Sequence, residues 1–294
     1  MANLAKTIVA TGVSSGLGFE AMRQLLEQSQ PYNIILGARN TQRAKEAYDA
    51  LKYDRDANPV TILPLEMNDL GKVQSFASQV QQHLQGTKLD YVLLNAGITG
   101  SAAAGPTGSK WCEPFIVNHL SHHYLMHLLK SKISESKSRV VFVSSGAVRM
   151  VPDEYIPKLE ESVKAGADTD GRLVYAITKF IGLLGAHWWR RELGDKATVV
   201  AVSPGLIPAT GIARGYDLKL NHNSPDAKSP AEGGANVLRA MERNDLPEDP
   251  EQIFLTSWGE WWPKDVYGQS LDKKLQDQFC PSKEQIEKEE GLAA

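Results

Sequence analysis

Short, almost wholly apolar runs recur along the chain: KTIVAT (6–11), YNIILGA (32–38), VTILPL (60–65), LDYVLLN (89–95), RVVFVSS (139–145) and ATVVAVS (197–203). Many of their residues are β-branched, and the runs do not alternate with polar positions. That is the pattern of strands covered on both faces. Between them lie GLGFEAMRQLLEQ, TQRAKEAYDALKY, DLGKVQSFASQVQQHL, CEPFIVNHLSHHYLMHLLKSKI and LVYAITKFIGLLGAHWWRREL. There the apolar residues return every three or four positions, as on amphipathic helices. Continuous strands alternating with helices predict an α/β fold, and right-handed crossovers make it a doubly wound parallel sheet of Rossmann type with helices on both faces.

Two segments break this rhythm. VPDEYIPKLEESVKAGADTDG (151–171) separates a strand from the next helix, and PGLIPATGIARGYDLKLNHNSPDAKSP (204–230) is rich in Gly, Pro and Asn. Long irregular segments inside a compact domain are usually binding loops or lids. The charge run KEQIEKEE (283–290) predicts a solvated terminal helix.

Composition narrows the function classes. The 294 residues are 42% hydrophobic and 23% charged, as in globular proteins generally. A net charge of -3 gives no electrostatic reason to expect nucleic acid or an anionic membrane as partner. Cys112 and Cys280 are the two cysteines and lack metal-ligand spacing, which fits a reducing compartment. No apolar run reaches the length of a membrane span, and MANLAKTIVATG reads as a buried first strand, so a cytoplasmic location is expected.

The first strand runs straight into TGVSSGLG, residues 11–18. Strand, glycine turn and helix in that order are the context for dinucleotide binding. Gly12 permits the tight turn, while Gly16 and Gly18 let a pyrophosphate and the sheet approach the next helix, whose first amides meet the phosphate charge. Thr11, Ser14, Ser15 and Leu17 complete the turn. Further along, Tyr175 and Lys179 of YAITK lie four residues apart, on one face of a helix. Tyrosine is a poor proton donor at neutral pH, and a cation one turn away favours its phenolate and is expected to move its pKa toward neutral.

TGVSSGLG, NAG at 95–97, Asn118, Ser145 and YAITK together resemble the short-chain dehydrogenase/reductase family, classical type, in the right order from residue 5 to about 210. The nearest branches are the carbonyl reductase, retinol dehydrogenase and protochlorophyllide reductase types. The resemblance implies that Tyr175 protonates the substrate oxygen and that Lys179 tunes it and holds the nicotinamide ribose. Ser145, preferred over Ser144, would bind the substrate oxygen, and Asn118 would hold a water that relays protons to Lys179. Asn95 would brace the sheet, and the cofactor would run beside Asn95, Ala96 and Gly97. Pro204, Gly205, Leu206 and Ile207 would pass the nicotinamide carboxamide, with Thr210 in the place of the usual threonine. Near the adenine the family carries an acidic residue; in LEMND the choice lies between Glu66 and Asn68, flanking Met67.

Cofactor choice reads at the end of the second strand, GARN. A carboxylate there would accept the ribose hydroxyls of NAD. Here Ala38 precedes Arg39, whose planar fork matches a phosphate, so NADP(H) is expected, with Ser14 and Ser15 as additional donors. One domain is expected over 1–294, with a cofactor-binding and catalytic core at 5–205 and a substrate lid and C-terminal extension at 206–294.

The stripe His119, His123 and His127 lacks a companion Glu or Cys of ligand spacing, so packing is expected and no metal. Trp258, Trp261 and Trp262 are expected to pin the C-terminal extension, with a pocket wall as the alternative. The insertion between Ser145 and Tyr175 is expected to obstruct the usual four-helix subunit contact, giving a monomer or homodimer. The whole predicts an NADP-dependent oxidoreductase acting on C=O or CH–OH of a lipophilic or aromatic small molecule. Reduction of a conjugated C=C bond, or a non-redox NADP-binding scaffold or sensor, are the alternatives.

Overall fold

A computed structural model describes residues 4–208, 212 and 224–292. Its sheet has seven parallel strands: β1 Lys6–Thr11, β2 Tyr32–Ala38, β3 Val60–Pro64, β4 Tyr91–Leu94, β5 Arg139–Val143, β6 Thr198–Val202 and β7 Phe254–Leu255. Their order is β3-β2-β1-β4-β5-β6-β7, with every neighbouring pair parallel. The order reverses between β1 and β4, and there the crevice at the carboxyl ends of the strands takes ligands in doubly wound folds. Register brings those ends level: Thr11 stands opposite Gly37 and Leu94, and Leu94 opposite Phe142.

Helices α1 (Gly16–Leu26), α2 (Thr41–Asp49) and α3 (Leu70–His83) follow the first three strands. After β4, α4 (Glu113–Phe115) passes through a π-helical turn, Ile116–Leu120, into α5 (Ser121–Ser136). Then come α6 (Leu159–Ser162), α7 (Gly171–Leu193), α8 (Pro230–Glu242), α9 (Lys273–Phe279) and α10 (Lys283–Glu289). One face of the sheet packs Val73, Phe76, Leu125, Leu129, Ile177 and Ile181 from α3, α5 and α7. The other packs Met22, Leu25, Val237 and Met241 from α1 and α8. Because both faces are covered, the strands are apolar throughout, as their sequence pattern requires.

Three expectations need correction. The segment 151–171 is no open loop: it forms short helices whose Leu159 and Val163 are fully buried, and it is laced to the stretch before α4 by Val163 O accepting from Cys112 N (2.9 Å) and Lys110 O accepting from Ala165 N (2.9 Å). The helix over KEQIEKEE is not merely solvated. Ile286 and Glu287 are buried against α5, where the Tyr124 hydroxyl donates to the Glu287 carboxylate at 2.8 Å. Finally, the short strand β7 and α8 belong to the sheet and its covering layer although they fall in the C-terminal part, 206–294.

The α5–α7 face is covered by the chain's own C-terminal region. His119 Nε2 reaches the Phe279 carbonyl at 2.7 Å and His123 Nε2 the Pro281 carbonyl at 2.8 Å, while the Trp189 indole donates to His123 Nδ1 at 2.9 Å. His127 Nε2 joins the same Pro281 carbonyl at 3.1 Å. The histidine stripe is therefore a clamp on backbone carbonyls, and no group of metal-ligating side chains occurs among the described residues. No helix among them is long and apolar enough to cross a membrane.

Candidate active site

The glycine turn is built by close approach. Gly12 has φ +67°, and a Cβ on it would stand 2.5 Å from Ala96 Cα, so the turn seats the β1 loop directly on the β4 loop. Asn95 Nδ2 donates to Gly12 O at 2.7 Å and Thr11 O at 3.3 Å, locking the same contact from the side. The Thr11 hydroxyl accepts from Asn95 N and Ala96 N, both at 3.1 Å, which directs its own hydrogen to His122 Nε2 at 3.0 Å. Burial pushes the His122 imidazole down to about 3, so it is neutral and can accept that bond, while its other side faces the Asn118 carbonyl. His122 thus ties the turn to the π-helical segment.

At the start of α1, Ser15 occupies the cap position with no side-chain capping bond, and the first turn carries no acidic residue. By contrast Asn40, Asp69, Asp170, Ser229, Asp272 and Ser282 each cap their own helix. Uncapped first-turn amides beside a glycine turn fit an anionic phosphate. Ser14 is half-buried, Ser15 and Gly16 are exposed, and Leu17 meets Ile207 over Gly233. Arg39 is exposed, directly after β2, and pairs with no carboxylate among the described residues. These groups fit the phosphates of a dinucleotide.

Asn118 lies on the π-helical turn rather than in regular helix, a distortion that often marks a functional segment. Its Oδ1 accepts from Ile98 N at 2.8 Å, and its Nδ2 donates to Ile98 O at 2.9 Å and to the Thr178 hydroxyl at 2.9 Å. The side chain therefore links the β4 loop to α7 one residue before Lys179. Thr178, inside YAITK, is a member of the site that the sequence reading missed; so is His122, one helical turn beyond Asn118.

Lys179 is 6% exposed, and its ammonium donates to Val143 O at 3.0 Å. A Cβ added at Gly97 would lie 3.3 Å from Lys179 Nζ and 3.4 Å from Asn118 Oδ1. The missing side chain leaves both polar atoms open to the β4 loop. Burial pulls the Lys179 ammonium down to about 8.

Burial raises the Tyr175 phenol above its ordinary value, and the nearby Ser145 hydroxyl opposes that rise without cancelling it. The lowering expected from the Tyr–Lys spacing does not occur in this arrangement. The ammonium sits 5.9 Å from the ring centroid and is turned to the Val143 carbonyl. Ser145 lies just beyond β5, where its hydroxyl accepts from Ala147 N at 3.1 Å and caps a short 3-10 turn, Gly146–Met150. Ser144 is different: its hydroxyl is buried and has no partner.

Among the remaining residues, Asn68 donates to the Glu113 carboxylate at 2.9 Å and Met67 is buried in the core with its carbonyl held by Ser121 at 2.5 Å. The two candidates beside the adenine, Glu66 and Asn68, are both half-buried, and Asn68 is the one tied to Glu113. Pro204 O accepts from Asn236 Nδ2 at 3.0 Å, and Leu206 is held between Asp226 and Lys228 by two backbone bonds of 2.8 Å. The Thr99 hydroxyl donates to Ile212 O at 2.6 Å, so the segment after β6 touches the β4 loop. Thr210 lies outside the described residues. The tryptophans divide. Trp261 and Trp262 are packed, the latter edge-to-face on Phe254 at 4.7 Å, whereas Trp258 is 51% exposed.

A family model described as short chain dehydrogenase matches residues 6–156. The chain is 55% identical over 289 residues to the short-chain dehydrogenase/reductase GME11359 of Pestalotiopsis microspora, covering 97% of this chain and 99% of that one. It is 26% identical to the short-chain dehydrogenase/reductase tropE of Talaromyces stipitatus, over 85% and 95% of the two chains. In structure it is similar to the NADPH-bound carbonyl reductase from chicken fatty liver, with a TM-score of 0.65, 20% identity, and 88% and 94% of the chains covered. With the reversed-order parallel sheet, the glycine turn and the Ser145–Tyr175–Lys179 cluster at its carboxyl edge, these matches establish that the chain belongs to the short-chain dehydrogenase/reductase family.

Proposed function

We propose that this oxidoreductase uses NADPH to reduce a ketone or aldehyde of a lipophilic or aromatic small molecule. The observation that carries the reading is the cluster itself: Tyr175 beside Ser145, with the buried Lys179 ammonium one helical turn away and Asn118 next to it. Bound NADPH supplies the hydride. The Ser145 hydroxyl holds the substrate oxygen, and the Tyr175 hydroxyl donates the proton as that oxygen gains charge. Lys179, charged below about pH 8, stabilises the phenolate left behind. Asn118 and Thr178 fix the β4 loop against α7 and so keep Lys179 in place.

Arg39 and the uncapped α1 terminus support NADP(H) over NAD(H), since a guanidinium favours the ribose phosphate that a carboxylate would repel. Coverage of the α5–α7 face by α9 and α10 supports a monomer or a homodimer formed elsewhere. A cytoplasmic location goes with this reading. The test is consumption of NADPH against NADH by the purified chain over a panel of aryl ketones and aldehydes. Carbonyl-dependent oxidation of NADPH, faster than that of NADH, is expected. An NADP complex with no carbonyl-dependent oxidation would instead identify a non-redox binding protein.

A further inference from the structure

Beside Ser145 lies a second polar group that the proton relay does not use. Arg149 closes the 3-10 turn that Ser145 caps, and its Nε donates back to Gly146 O at 3.2 Å. Its guanidinium lies over the Trp262 ring, 4.9 Å from the centroid. One point locates the group against the reacting residues. A Cβ on Gly146, the residue after Ser145, would stand 3.2 Å from an Arg149 terminal nitrogen and 3.7 Å from both the Trp262 ring edge and the Ser203 hydroxyl. The absent side chain at 146 is what leaves the guanidinium its seat. Ser203 in turn precedes Pro204 and Gly205, so cation and indole lie near both Gly146 and the segment expected to flank the nicotinamide.

Arg149 has no carboxylate partner among the described residues, whereas Arg23, Arg55, Arg191 and Arg243 each face one. The Nε bond and the indole fix its position without using its two terminal amino groups. A guanidinium held through Nε and over an indole keeps its terminal amino groups free, and that fork matches a carboxylate bidentately. Trp262, edge-to-face on Phe254, offers a fixed aromatic wall beside it.

We propose that Arg149 and Trp262 form an anion subsite at the mouth of the catalytic cleft, and that the substrate is an aryl ketone or aldehyde bearing a carboxylate. The proposal names the substrate class of the carbonyl-reductase reading and rests on it. Arg149 holds the anionic end against Trp262 while the carbonyl end lies at Ser145 and Tyr175. It sets specificity and takes no part in proton transfer.

Calorimetric binding to the NADP+-loaded protein separates this from the reductase reading, because it needs no turnover. The probes are 3- and 4-acetylbenzoate and their methyl esters, the protein wild type, Arg149→Gln and Arg149→Lys. At least one acid is expected to bind wild type roughly tenfold more tightly than its ester, with the preference lost in Arg149→Gln and partly kept in Arg149→Lys. Ester affinity should not change, which a merely structural role for Arg149 would not allow. Equal binding of acids and esters, no binding of either acid, or a preference that survives Arg149→Gln overturns the proposal. Selective binding of an acid that wild type never reduces with NADPH leaves the subsite standing and removes the reductase reading instead.

Discussion

Replacing Lys179 by methionine should make the folded chain more stable while removing its activity. Lys179 is 6% exposed, and burial pulls its ammonium from an ordinary 10.5 to about 8. At about 1.4 kcal/mol per pH unit, holding that charge in the folded state at pH 7 costs about 3 kcal/mol. Methionine has a similar length and no charge. Its drawback is the loss of the bond to Val143 O, about 1 kcal/mol, which leaves a net stabilisation of about 2 kcal/mol at pH 7. The pH dependence identifies the cause. The folded pKa lies below the unfolded one, so the unfolded chain binds the extra proton between about pH 8 and 10.5. The penalty is therefore full below pH 8 and relaxes as the pH rises through that window. Urea unfolding of wild type and Lys179→Met at pH 7 and 9.5 should show the variant's advantage shrinking by about 2 kcal/mol. A variant less stable than wild type at pH 7, or a difference independent of pH, would refute the argument that this site holds a lysine against its own solvation. Strain of this kind at a functional position is an expected exchange of stability for activity.

Arg39→Asp should move cofactor preference from NADPH toward NADH by at least about tenfold in kcat/KM; an unchanged preference contradicts the reading of GARN. His119 is buried, and burial outweighs its bond to the Phe279 carbonyl to push the imidazole down to about 4. Its contribution is thus complete above about pH 6.5 and lost as pH falls toward 4, and His119→Gln should reduce the slope of unfolding free energy against pH there by close to one proton. Gly12→Ala should cost about 3 kcal/mol or more in unfolding free energy, because the added Cβ meets Ala96 backbone at 2.5 Å from a left-handed φ. Tyr124→Phe should cost about 1 to 2 kcal/mol by the same measurement, since it deprives the Glu287 carboxylate of a donor.

The strand–helix alternation was legible because each central strand is apolar on both sides: β1 and β2 have the bounds their runs suggest. β7, only two residues long, leaves no periodicity to read. The π-helical turn at Asn118 is equally silent, since one extra residue in a helical ladder has no side-chain signature. Spacing placed Tyr175 and Lys179 on one helix face but could not say which way the ammonium turns. That depends on the Val143 carbonyl across the sheet edge. Nor could the sequence show that Asn68 bonds Glu113, from a distant part of the chain. The acidic C-terminal helix looked solvated because its burial rests on Ile286 and on a tyrosine of α5 that no local pattern reveals.

The proposed reduction depends most on Tyr175 as the group that delivers the proton. Tyr175→Phe removes one hydroxyl and keeps the ring, so the site should still bind NADPH. Measured with an aryl ketone that wild type reduces, the variant should lose about two to four orders of magnitude in kcat with its NADPH affinity within about twofold of wild type. Turnover at the wild-type rate would contradict the central claim.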